Sequence, residues 1–204
     1  LSEQEIIRRE KLTKLREYGI DPYPAALFSI TTNTKKIISE FKENHSVSIA
    51  GRLMSRRIQG KASFAEIQDS FGKIQIYFNR DEICPDEDKS MYNEVYKKLL
   101  DIGDIIGING NLFTTQVGEK TIMVKNFTVL SKSLKPLPLP KTDNEGNIYD
   151  EFTDPELRYR QRYVDLIVNS EIKETAEYLY IIIEKDKETE DILNTFNISN
   201  YTDE

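Results

Sequence analysis

Between Ser48 and Tyr77 the chain reads SIAGRLMSRRIQGKASFAEIQDSFGKIQIY, and its polarity alternates with a period of two. At that period Ser63, Ala65 and Ile67 share one side of a strand, and Ile74, Ile76 and Phe78 share the matching side of the next. The other side carries Ala62, Phe64, Glu66 and Gln68, followed by Lys73, Gln75 and Tyr77. An aromatic ring, an amide and a phenol, close to Arg56, Arg57 and Lys61, make a surface suited to stacking a flat base and holding its phosphate.

The same patterning predicts the remaining elements. Ser2 to Tyr18 reads as a helix, capped by Ser2 with Glu5 three residues on, striped by Ile6, Leu12 and Leu15, and stopped at Gly19. A short helix spans Thr34 to Asn44. Five strands follow: Val47–Arg57, Ala62–Gln68, Lys73–Phe78, Ile105–Thr114 and Lys120–Leu130. A helix from Lys89 to Leu100, with Met91, Val95 and Leu99 at helical spacing, separates the third strand from the fourth. Asp69-Ser70-Phe71-Gly72 and Gln116-Val117-Gly118-Glu119 supply the turns of two hairpins. Three strands, a helix and two strands is the order of an OB-fold, a small Greek-key barrel that binds oligonucleotides on its second and third strands. The expected class is mainly β with flanking helices: a five-stranded OB-fold barrel, an N-terminal helix and a helical C-terminal segment.

Lys132 to Pro140, KSLKPLPLP, is a stiff connector. Residues 1–45 are accordingly read as a helical lead-in, 46–131 as the barrel, 132–150 as the linker and 151–204 as the start of a further domain. Asp143-Asn144-Glu145-Gly146 is a loop, and Asp154 to Ser170 a helical stretch dense in arginine and tyrosine. The last segment is amphipathic at Leu179, Ile182 and Ile183 and then acidic.

Charge changes the picture only once it is located. The net charge of −7 over 204 residues opposes phosphate binding. Residues 171–204, however, hold 10 acids and 3 bases and carry the whole excess, while residues 1–170 balance at 25 of each. Val47–Arg80 holds 6 bases and 2 acids, so cations concentrate where the base-stacking surface is expected. The basic cluster Arg8, Arg9, Lys11, Lys14 and Arg16 reads as a solvated helix face, with a face laid against RNA as the alternative. With Cys84 and His45 each the only residue of its kind, neither an internal disulfide nor a Cys/His zinc site is expected. No apolar run has the length of a membrane span and the first residues lack a signal-peptide core, so a cytoplasmic location is expected.

Four segments in order, AGRLMSRRIQGKASFAEIQDSFGKIQIYF, GNLFTTQVGE, KSLKPLPLP and DPELRYRQRYVDLIVN, closely resemble the N-terminal half of the bacterial-type lysyl-tRNA synthetases, a class II family. The resemblance implies an enzyme that activates lysine with ATP and Mg2+ and loads it onto its tRNA, usually as a homodimer, with the barrel reading the anticodon. By position, the family's stacking ring falls on Phe64, and the polar contacts to the central anticodon uridine fall on Arg57, Gln75 and Glu119. Arg56, Lys61, Lys73 and Tyr77 are expected as flanking RNA contacts, and no catalytic or metal-binding residue is expected in this chain.

The departures are equally specific. The family's second and third motifs need arginines around ATP and a glycine-rich run, yet no glycine follows Gly146 and no arginine follows Arg162. Ser170 stands where proline is common, and the likeness fades from Ala176 onward. The chain alone is therefore expected to be inactive in aminoacylation. A free-standing OB module that binds single strands without preference is the alternative, and a protein-interaction module built on the arginine-tyrosine helix is a third reading.

Overall fold

The computed structural model describes residues 1–142, 148–149, 152–169 and 172. Its compact units are Leu1–Pro136 and Leu137–Glu204, dividing within the proline-rich connector. In the first, helix α1 (Glu3–Glu17) begins with a reciprocal cap: the Glu5 N–H donates to Ser2 Oγ and the Ser2 N–H donates to Glu5 Oε2 at 2.7 Å. Gly19, at φ +74°, supplies the left-handed residue that ends the segment. Helix α2 (Thr34–Ser39) is shorter than its sequence pattern suggests. Asn33 caps it, and it stops at Glu40, after which Phe41 turns back onto the core.

Strands β1 (Ser46–Gln59), β2 (Ala62–Gln68), β3 (Lys73–Asn79), β4 (Ile105–Thr114) and β5 (Lys120–Ser131) close into a barrel in the order β1-β2-β3-β5-β4. Strand β1 pairs antiparallel with both β2 and β4, and the parallel pairing of β3 with β5 completes the ring. This is the five-stranded OB-fold that the order of elements predicts. Ser63, Ala65, Ile67, Ile74, Ile76 and Phe78 all point inward, as the alternation requires. Gly110 marks the tightest approach of β4 to β5: a Cβ there would lie 2.1 Å from the Met123 carbonyl oxygen, next to the register shift after Asn109.

Two further elements differ from expectation. A one-turn helix α3 (Arg80–Ile83) follows β3, capped by Asn79. The helix between β3 and β4 is a π-helix over Met91–Leu99, and its buried side includes Tyr92 and Tyr96 as well as Val95 and Leu99. The two rings stack with centroids 5.5 Å apart, and Tyr96 lies 4.0 Å from Phe78, so both join the core. A stripe counted from aliphatic residues alone omits these phenols, which are amphipathic in sequence and fully buried in the fold.

The basic cluster on α1 is divided: Arg8 and Lys11 are tied into the fold, while Arg9, Lys14 and Arg16 are exposed. Arg8 is buried and donates to the carbonyls of Ser133 at 2.9 Å and Ile102 at 3.0 Å. Lys11 pairs with Asp101, which also accepts from Lys132, both at 2.5 Å. Lys132 itself is buried and reaches Asp104 at 2.9 Å.

In the second unit, β6 (Lys141–Thr142) and β7 (Ile148–Tyr149) form a minimal antiparallel pair. The arginine-tyrosine stretch is two helices, α4 (Pro155–Arg160) and α5 (Arg162–Val168), broken at Gln161. Asp154 caps α4, and the buried Asp165 gathers Arg158, Arg162 and Asn169. The loop Asp143–Gly146 and the segment with Leu179, Ile182 and Ile183 lie outside the described residues. Among the described residues no helix is long and apolar enough to cross a membrane.

Candidate nucleic-acid interface

A bulge decides which β1 side chains reach the outer face of the β2–β3 hairpin. Leu53 pairs with Ile67, yet Ser55 pairs with Glu66, so Met54 is an extra residue and both Leu53 and Met54 are buried. Beyond the bulge, Arg57 stands opposite Phe64 and Arg56 opposite Ala65. Successive strand residues face opposite ways. Arg57 therefore joins the outer face, while Arg56 turns to the π-helix, donating to the Tyr96 carbonyl with its guanidinium 5.5 Å from that ring.

The outer face borders an open cleft of about 880 Å³ whose lining includes Arg57, Phe64, Lys73, Gln75, Tyr77 and Glu119. The structure thus brings together all four residues carried across from the family resemblance, and two of the four flanking residues. Arg56 is not among them for the reason just given. Lys61 lies in the turn between β1 and β2, outside the lining, where its carbonyl accepts from the Arg80 N–H.

Phe64 and Tyr77 are cross-strand partners with ring centroids 4.9 Å apart, tilted by 49°. Phe113 of β4 continues the row, 6.0 Å from Tyr77 and nearly edge-on. All three rings are half-buried, with area left for a planar ligand. Phe113 is a lining residue the sequence reading missed. Its signal was present: Leu112 faces the core, so the next residue must face out.

Glu119 gains its position from backbone contacts. Its N–H donates to Thr115 Oγ1 at 3.0 Å, and its carbonyl accepts from the Thr115 N–H at 2.9 Å. Gly118, at φ +86°, makes that turn without strain. The carboxylate end of Glu119 is exposed at the rim of the cleft. Across from it, Gln75 Oε1 accepts from Thr121 Oγ1 at 2.7 Å. Thr121, fully buried, is the second residue that the strand pattern did not single out.

Cations and acids alternate around the opening. Lys73 Nζ lies 3.7 Å from Glu66 Oε2, a solvent-exposed pair worth little by itself. Arg57 is held by Gln59, whose amide oxygen accepts from Nε and Nη2 at 3.1 and 3.3 Å when turned toward it. Among the described residues no group of His, Cys, Asp and Glu is placed to hold a metal ion. The site offers aromatic faces for stacking together with hydrogen-bond donors and acceptors.

A closed five-stranded barrel with an aromatic-polar face on β2 and β3 defines a nucleic-acid-binding OB-fold, and residues 47–130 match the tRNA anticodon family of the OB-fold nucleic acid binding domain. The curated relatives that the chain matches are lysine–tRNA ligases. The chain is 63% identical over 98% of its length to a lysine–tRNA ligase of Christiangramia forsetii, of which it covers 34%. It is 54% identical over 85% of its length to one from Porphyromonas gingivalis and 50% identical over 98% to one from Azobacteroides pseudotrichonymphae, covering 31% and 39% of them. The chain spans about a third of the length of these curated relatives and matches their N-terminal part.

Proposed function

We propose that the cleft reads the central uridine of a lysine tRNA anticodon, with Phe64 stacking on the base and Arg57, Gln75 and Glu119 holding its edge. The convergence of these four residues on one opening carries the proposal. Uracil presents an imide hydrogen that the Glu119 carboxylate can accept, and cytosine has none at that ring position. Gln75 and Arg57 can donate to carbonyl oxygens, and Arg57 also to a phosphate. Lys73 and Tyr77 flank the base as further RNA contacts.

The mixed charge of the lining favours this reading over an unselective single-strand binder. A backbone-tracking groove relies on cations. Here Glu66 and Glu119 stand beside Arg57 and Lys73, so attraction for phosphate is tempered and edge recognition carries more of the affinity.

On this reading residues 46–131 are the anticodon-binding domain of a cytoplasmic, homodimeric lysine–tRNA ligase, residues 1–45 a helical lead-in and 132–150 the linker to a catalytic domain that begins near residue 151. ATP and Mg2+ belong to that catalytic part. The described residues offer no carboxylate cluster for the ion, and no chemical step is assigned to them. The 204-residue chain alone should show no lysine-dependent ATP–pyrophosphate exchange, because the cations that stabilise phosphoryl transfer are missing from it. Measurable exchange from the purified chain overturns that expectation.

The direct test is titration of stem-loops carrying UUU or CCC. The wild-type chain should prefer UUU. Phe64→Ala should weaken both by roughly 1–3 kcal/mol, the worth of a stacked base, whereas Glu119→Gln should narrow the gap between them. No preference of the wild type for UUU would remove anticodon reading and leave the unselective module in its place.

A further inference from the structure

Gln75 has an end that accepts and an end that donates, and the two ends recognise different pyrimidines. Uracil carries a carbonyl oxygen at ring position 4, where cytosine carries an amino group. An amide nitrogen aimed at that position favours uracil; an amide oxygen favours cytosine. Discrimination by Gln75 therefore needs something that stops the amide from turning over.

Thr121 meets that need. It is the register partner of Gln75 where β3 and β5 pair in parallel, and it is 0% exposed, so water does not compete for its hydroxyl. Its Oγ1 lies 2.7 Å from Gln75 Oε1 and 3.2 Å from the Glu119 carbonyl oxygen. A hydroxyl has one hydrogen to donate. A reversed amide would have its nitrogen donate to Oγ1 and leave the hydroxyl hydrogen to the Glu119 carbonyl, a longer contact to an oxygen that already accepts from the Thr115 N–H at 2.9 Å, so the shorter bond to Gln75 Oε1 is the favoured arrangement. With Oε1 tied to β5, the Gln75 amide nitrogen is the end presented to the cleft.

We propose that Thr121, through its buried hydroxyl, is a positioning residue that fixes the polarity of the Gln75 amide and so sets uracil above cytosine at the central base. The proposal rests on the anticodon reading and adds a residue that touches no nucleotide. Valine at position 121 keeps the shape and the strand preference and removes the hydroxyl. The amide then turns freely, and its oxygen can accept from the cytosine amino group.

The test uses the whole chain with stem-loops carrying UUU or UCU, which differ only in the central base. Thr121→Val should lower the UUU-over-UCU ratio by about tenfold, the scale of one hydrogen bond lost, and should do so partly by raising affinity for UCU. Thr121→Ser should restore the wild-type ratio. A merely structural role would weaken both RNAs together, and an unchanged ratio in Thr121→Val would deny the role altogether; either result overturns the proposal. Gln75→Glu, at a half-exposed position, presents an oxygen to the cleft whichever way it turns and should move preference toward UCU even if the valine variant folds poorly. A UUU-over-UCU ratio left unchanged by Gln75→Glu also overturns the proposal. If the wild type itself fails to separate UUU from UCU, anticodon reading is what fails, a result distinguishable from failure of the Thr121 assignment alone.

Discussion

A single step along β1 separates a cleft-lining residue from one packed against the π-helix. Arg56 and Arg57 are adjacent and chemically identical, yet one lies against Tyr96 and the other lines the cleft. The same contrast holds for the rings. Phe78 is fully buried between Tyr96 and Phe127, so Phe78→Ala should cost about 3–5 kcal/mol in urea unfolding. Phe64 has Tyr77 on one side and the open cleft on the other, and Phe64→Ala should cost only about 1 kcal/mol. A loss comparable to that of Phe78→Ala would place the Phe64 ring in the core. Tyr96 adds a pH dependence. Burial, partly offset by the Ser63 hydroxyl at 2.7 Å and by Arg56, pushes its phenol up to about 12. The folded chain then keeps a proton that the unfolded chain loses near pH 10, so stability should fall as pH rises between about 10 and 12, by roughly 2 kcal/mol in all. Tyr96→Phe should flatten that slope; an unchanged slope would assign it to other groups.

At the scale of elements, the charged residues of α1 and the end of β5 form a clasp. Lys132 sits without solvent between Asp101 and Asp104, and Lys11 reaches the same Asp101 from the helix. Burial pushes the Asp104 carboxyl above its ordinary value, with Lys132 and the N–H groups of Asp101 and Ser133 acting against that rise. Removing the cation should therefore cost more than removing both charges. Lys132→Met leaves a buried carboxylate unpaired and should lower stability by about 3–5 kcal/mol, with Asp104→Asn recovering part of the loss in the double variant. Strictly additive losses in thermal unfolding would show that the pair is not coupled. Sequence periodicity located α1 and its cap because both are local. It assigned Arg8 and Lys11 to a surface because their partners, Ile102, Ser133 and Asp101, are about a hundred residues away.

For the whole molecule, the unequal distribution of charge matters more than its sum. The acidic excess lies beyond residue 170, and of the six cations between Val47 and Arg80 two, Arg57 and Lys73, line the cleft. Binding of the stem-loops should weaken with added salt, through Arg57 and Lys73, and Arg57→Ala should make that dependence shallower. A slope unchanged by Arg57→Ala would exclude its contact with phosphate. Alternation of side chains is a property of the strand itself, and the chain of 204 residues thereby declared its barrel strands, their inner and outer faces, and the Phe64, Gln75 and Tyr77 surface before any fold was known. Contacts between strands distant in sequence are not encoded in any local period. The bulge at Met54 that swings Arg57 outward, the parallel closure of β3 on β5 that sets Thr121 against Gln75, and the arrival of Phe113 beside Tyr77 were decided by the closed barrel alone, because only closure fixes which strands become neighbours and in what register.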